Sequence, residues 1–215
     1  MTVVVDDIIN GVATTLLDTA HRGWPRAEIV GYINEALAAT AGAKPDFYTV
    51  EEDISMVAGI TQQLPEGGLS LFNVSKNVTS NRVVTQVDGA LLDEANRFWP
   101  AATQETDVEH FAADPRDPRR FNITPPNDGT GAVTATFGAV PDRVTGSSGE
   151  TIPVAGSYLA PLIEYVLAKC YGKNSKSQDL NKSNTHMQRW GTLVGLKAKA
   201  QIAVAPKVAV SEGNA

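Results

Sequence analysis

Apolar residues recur at helical spacing near both ends of this chain, while the middle is broken into short strand-like runs, and few architectures accommodate that order. From Val5 to about Thr19, the residues Val5, Ile8, Ile9, Val12 and Leu16 share one helical stripe, with Asp6 and Asp7 in the first turn, where negative charge suits the helix dipole. After a break at His21-Arg22-Gly23, Trp24-Pro25 opens a second helix through Ile29, Tyr32, Ile33, Ala36, Leu37 and Thr40, which Gly42 and Pro45 close. Helical spacing returns in Tyr158, Leu159, Leu162, Ile163, Val166, Leu167, Cys170 and Tyr171, a face too wide to leave in water, so this helix is expected at the centre of a core. Pro161 fits its first turn, where an amide has no intrahelical partner. A last helix, about Gln178 to Val204, carries Leu180, Met187, Trp190, Leu193 and Val194, and Gly191 and Gly195 weaken it.

Between Phe47 and Phe137 the chain is rich in Val, Thr and Ile, interrupted by Gly, Pro, Asn and Asp, the pattern of antiparallel strands with frequent turns. Strands are expected near 48–57, 60–64, 69–76, 82–87, 106–112, 119–124 and 131–138, with one short helix at about Gly89 to Phe98. Pro65-Glu66-Gly67-Gly68, Asp114-Pro115-Arg116-Asp117-Pro118 and Pro125-Pro126-Asn127-Asp128-Gly129 have the composition of turns. The fold class is therefore α+β: an antiparallel helical bundle formed from N- and C-terminal helices, with an inserted antiparallel β-rich domain. Residues 1–46 and 146–204 supply the bundle, 47–145 the inserted domain, and 205–215 an extended arm. Thr145 to Glu150 has the composition of a flexible Gly/Ser connector.

With 215 residues the chain can bury a core without staples, and its single cysteine excludes an internal disulfide. No signal-like run opens it and no stretch reaches the ~18 apolar residues of a membrane span, so a soluble, unexported protein is expected. Charge is unevenly placed. Residues 1–163 hold 10 Lys/Arg against 21 Asp/Glu, and residues 164–215 hold 8 against 3.

Chemistry is hard to find in this pattern. His21, His110 and His186 fall in a loop, a strand and a helix without ligand spacing, so no metal site is expected. Cys170 on an apolar helix face is read as a small buried hydrophobe. No phosphate loop or dinucleotide fingerprint is present, so no cofactor is expected. Glu51, Glu52 and Asp53 are adjacent on a strand, where neighbours alternate faces, so all three cannot converge; a solvated or channel-facing acidic surface accounts for them. Asp114, Asp117 and Asp128 are read as turn formers, not calcium ligands.

Several segments, in this order and spacing, resemble the head-to-tail connector or adaptor proteins of tailed bacteriophages, including the tail tubular type. They are Trp24-Pro25 with the helix Ile29 to Leu37, the Gln63-Leu64-Pro65 turn, Asp114 to Phe121 ahead of Pro125-Pro126, and Ile152-Pro153 leading into Tyr158 to Gly172. The resemblance implies a virion protein made in the host cytoplasm. It implies a ring, commonly of twelve copies, that docks under the portal protein, presents a platform to a tail or nozzle protein, and lets genomic DNA pass without reading it. No enzyme activity and no membrane contact are implied. It directs the basic C-terminal region to the portal, through Lys197, Lys199, Lys207, Val208 and Val210, and makes Glu51, Glu52 and Asp53 candidates for the channel wall. Rival expectations are a tail completion or stopper protein, a DNA-binding accessory protein acting through the C-terminal lysines, and a hydrolase using Glu51, Asp53 and Asp117.

Overall fold

Val5, Ile8, Ile9, Val12 and Ala13 are the buried residues of the first helix, α1 (Val5–Thr15), and their spacing is the stripe the sequence predicts. Full burial of an aliphatic side chain of this kind contributes about 1.5–3 kcal/mol relative to exposure. The helix ends earlier than Thr19, because Leu17 turns back with φ 55°. The Asp18 carboxylate then accepts from the amides of Arg22, Gly23 and Trp24 at 2.8, 2.8 and 2.9 Å and shapes the turn into α2 (Arg26–Ala43).

The computed structural model describes the backbone of residues 2–204 and, apart from Ala95 and 196–204, their side chains. The chain forms two compact units, one of residues 1–36 with 144 onward, the other of residues 37–143, so the division falls inside α2. The remaining elements are β1 (Val3–Val4), β2 (Thr49–Ser55), β3 (Gly59–Gln63), β4 (Gly68–Asn77), β5 (Thr85–Gln86), α3 (Gly89–Ala95), β6 (His110–Ala113), β7 (Arg120–Asn127), β8 (Ala132–Ala139), β9 (Thr151–Ile152), α4 (Leu159–Gly172) and α5 (Leu180–Val204).

In the first unit β1 pairs antiparallel with β9, and α1 packs against α4, whose Pro161, Leu162, Val166, Leu167, Ala168 and Cys170 are buried. A Cβ at Gly11 of α1 would stand 2.9 Å from Ile163 Cδ1, which shows how closely the two helices approach. α4 and α5 form an antiparallel hairpin, since Ser183, His186 and Trp190 of α5 meet Ala168, Glu164 and Tyr165 of α4. α5 runs unbroken through Gly191 and Gly195, where the sequence predicts a weak point. The Thr145–Glu150 segment is ordered by side-chain bonds instead of being a loose connector: the Glu150 carboxylate accepts from the amides of Thr145, Gly146 and Ser147 at 2.7 to 3.1 Å.

The second unit holds a three-stranded sheet, β2-β8-β4, and a four-stranded sheet, β3-β7-β6-β5. Ile54, Val74, Val133, Ala135 and Phe137 from the first join Phe111, Phe121 and Ile123 from the second in one core. All pairings in these sheets are antiparallel except β5–β6, a two-residue parallel pair that the turn-rich sequence does not predict. Pro125 and Pro126 lie within β7 and not in a turn, and the Thr124–Pro125 peptide is cis; the reversal comes later, at Asp128–Gly131. Asn127 makes that reversal possible. Its Nδ2 donates to the carbonyls of Glu105 and Thr106 at 3.1 and 2.8 Å, and its Oδ1 accepts from the amides of Gly129 and Gly131 at 2.8 and 3.3 Å.

Candidate functional site

The basic C-terminal region reads from sequence as a surface for a partner, yet much of its described charge is spent inside the chain. Lys173 Nζ lies 2.7 Å from Glu28 Oε2 and Lys169 Nζ lies 2.8 Å from Glu35 Oε2, tying α4 to α2. These bonds have electrostatic signatures: the Lys173 ammonium holds the Glu28 carboxyl below its ordinary range, and the Glu35 carboxylate raises Lys169. Lys182 sits 3.7 Å from Asp179 and over the Tyr171 ring at 5.1 Å. Lys176 and Arg189 form no ion pair among the described residues. The side chains of Lys197 and Lys199, and all of Lys207, Val208 and Val210, lie outside the described residues.

The three adjacent acids divide as strand geometry requires. Glu51 and Asp53 are on the same face of β2 as the exposed Thr49 and Ser55, opposite Thr136 and Thr134 of β8; Asp53 Oδ1 accepts from Thr134 Oγ1 at 2.7 Å. Glu52 is on the other face with Val50 and Ile54. On that side a groove of about 310 Å3 opens, with Tyr48, Val50 and Phe137 in its lining and Glu52, Glu66 and Asp142 among its polar residues. A shallower hollow of about 530 Å3 follows α3 past Asp93, Glu94 and Arg97. Glu51, Asp53 and Asp117 do not line either one.

His21 lies in the turn after α1 with φ 54°, and His110 opens β6. His186, which the sequence leaves without a carboxylate, has one: its Nδ1 is 2.7 Å from Glu164 Oε2, and its ring stacks on Tyr171 at 5.5 Å. No sequence signal could have paired residues 22 positions apart on two different helices; only the hairpin register does so. Cys170 is fully buried, and burial pushes its thiol up to about 12, while burial and then the Glu28 carboxylate push the Tyr32 phenol up to about 12. Among the described residues no group of three His, Cys, Asp or Glu side chains could hold a metal ion, and no helix is long and apolar enough to cross a membrane. Asp114, Asp117 and Asp128 accept from the amides of Arg116, Arg119 and Thr130, so they shape turns.

A family model described as SU10 adaptor protein matches residues 1–209. Among curated proteins, glyceraldehyde-3-phosphate dehydrogenase 2 of Synechocystis sp. is 28% identical over 116 residues, covering 50% of this chain and 34% of that protein. The chain thus spans about a third of the length of that relative. The parallel strand pair of the second unit does not have the form of a dinucleotide-binding βαβ unit. The parallel pair β5–β6 is two residues long, and no Gly-x-Gly-x-x-Gly run follows β5 into α3.

Proposed function

Because the chain belongs to the SU10 adaptor protein family of bacteriophage structural proteins, we propose that it is a head-to-tail adaptor of the connector or tail tubular type, assembled as a ring of identical copies in the virion. The match across residues 1–209, which takes in both compact units, carries this reading. In it the ring sits beneath the portal and offers its far side to a tail or nozzle protein, with twelve copies as the working number.

Charge supports the role. Residues 37–143 hold 8 Lys/Arg against 15 Asp/Glu, and a wall of that sign repels phosphates and leaves passing duplex DNA mobile. Glu51 and Asp53, on the solvent face of β2, are the channel-wall candidates this favours. A DNA-binding accessory role is disfavoured by the pairing of Lys169, Lys173 and Lys182 within the chain. Within the basic C-terminal region, Lys197 and Lys199 are the residues directed to the portal.

Electron microscopy of the intact particle tests position and symmetry together. Density for this chain is expected as a closed ring between portal and tail. Density at the distal end of the tail would overturn the assignment, and density lower at the junction, away from the portal, would favour a tail completion or stopper protein.

A further inference from the structure

The three-stranded sheet ends on β2, and among the described residues no backbone group pairs with its outer edge. Such an edge presents a row of N–H and C=O groups, a template for one more strand. On the core side of that sheet lies the groove of about 310 Å3, with Tyr48, Val50 and Phe137 as apolar lining beside Glu52, Glu66 and Asp142. None of these carboxylates, nor Glu51 or Asp53 on the opposite face of β2, takes part in an ion pair among the described residues. The edge is therefore selective. Another acidic edge, including β2 of a second copy, is repelled, whereas an extended segment with apolar side chains on alternate positions and a cation between them matches the groove and the charge together.

This chain contains such a segment, Pro206-Lys207-Val208-Ala209-Val210, outside the described residues. In an extended conformation Val208 and Val210 share one face, and Lys207 and Ala209 the other. With the valines over the groove, Lys207 arrives on the side of Glu51 and Asp53.

We propose that β2 and its groove take Pro206–Val210 of another copy as an added strand. A closed ring of identical copies needs two unlike, complementary surfaces on each, and a donated segment with a receiving edge supplies them. The inference rests on the ring reading above, and it leaves Lys197 and Lys199 as the C-terminal contacts available to the portal.

Sedimentation velocity of the full chain, with amide hydrogen exchange along Thr49–Ser55 in the same samples, tests it. The full chain is expected to form closed oligomers and to protect the outward amides of β2 more as concentration rises. Val208→Pro, which removes a backbone donor, and the double substitution Glu51→Lys with Asp53→Lys should each weaken association by about tenfold or more. Mixed at a concentration where each alone is monomeric, these two variants should yield dimers, because one keeps the receiving edge and the other keeps the segment. Lys207→Glu added to the double-lysine variant should restore assembly.

Closed oligomers indifferent to Val208→Pro and to the charge exchange overturn this assignment and leave the ring reading standing. Protection of β2 independent of concentration overturns the second copy as occupant. A full chain that stays monomeric, with β2 exchanging freely at every concentration, removes both.

Discussion

Asn127 shows how one side chain can set a local fold. It is fully buried, and its side-chain amide links the carbonyls of Glu105 and Thr106 to the amides of Gly129 and Gly131 around the Asp128–Gly131 reversal. Asn127→Ala removes these four hydrogen bonds from a fully buried side chain, although the Glu105 carbonyl keeps the Asp128 amide, so a loss of about 3 kcal/mol is expected, read as a lower urea midpoint. Gly131 allows the same reversal, since a Cβ there would lie 2.2 Å from the Thr106 carbonyl oxygen. The sequence marks a turn near this place through Pro125, Asn127 and Gly129, but it puts the bend two or three residues early. The Pro-Pro pair looks like a turn in composition, and only the pairing of β7 with β3 and β6 keeps it within a strand.

At the scale of elements, the loop after the β region is held by charge. Glu150 accepts from the Thr145, Gly146 and Ser147 amides, and Asp6 of α1 accepts from Arg26 and from the Gly149 amide. The Thr145 amide foremost, against a smaller opposing effect of burial, lowers the Glu150 carboxyl, and the Arg26 guanidinium foremost lowers Asp6. Carboxyls with depressed folded-state values contribute stability that is complete above their ordinary values, 4.5 for Glu150 and 3.8 for Asp6, and that disappears as pH falls through the depressed ones. Urea midpoints of the parent chain should therefore drop from about pH 5 downward. Glu150→Gln should lower the midpoint at pH 7 and flatten that acid slope; an unchanged slope would show that the loop does not depend on this carboxylate. A Gly/Ser composition suggests looseness, and what it hides is the single acid at its end. The glycines of α5 mislead in the opposite direction. A Cβ at Gly191 or Gly195 would meet nothing within 4 Å, so they cost some helix propensity without interrupting the helix.

For the molecule as a whole, apolar periodicity made the helical ends and the strand-rich middle legible, because both patterns record which face must leave water. The α+β class and most strand positions follow from that record. The uneven spread of charge along the chain was legible, but not which charges pair. That Lys169 and Lys173 face Glu35 and Glu28 depends on how α4 lies along α2, which no linear spacing expresses. The parallel β5–β6 pair escaped for a related reason: two residues are too few to carry a pattern. The burial of Cys170 also has a practical side. The chain's single sulfhydryl is sealed on the buried face of α4 and stays protonated at neutral pH, so maleimide dyes should pass it by. A cysteine introduced at the exposed Ser80 would then be the sole labelling handle, one fluorophore per copy, and step-wise photobleaching could count subunits in an otherwise native particle.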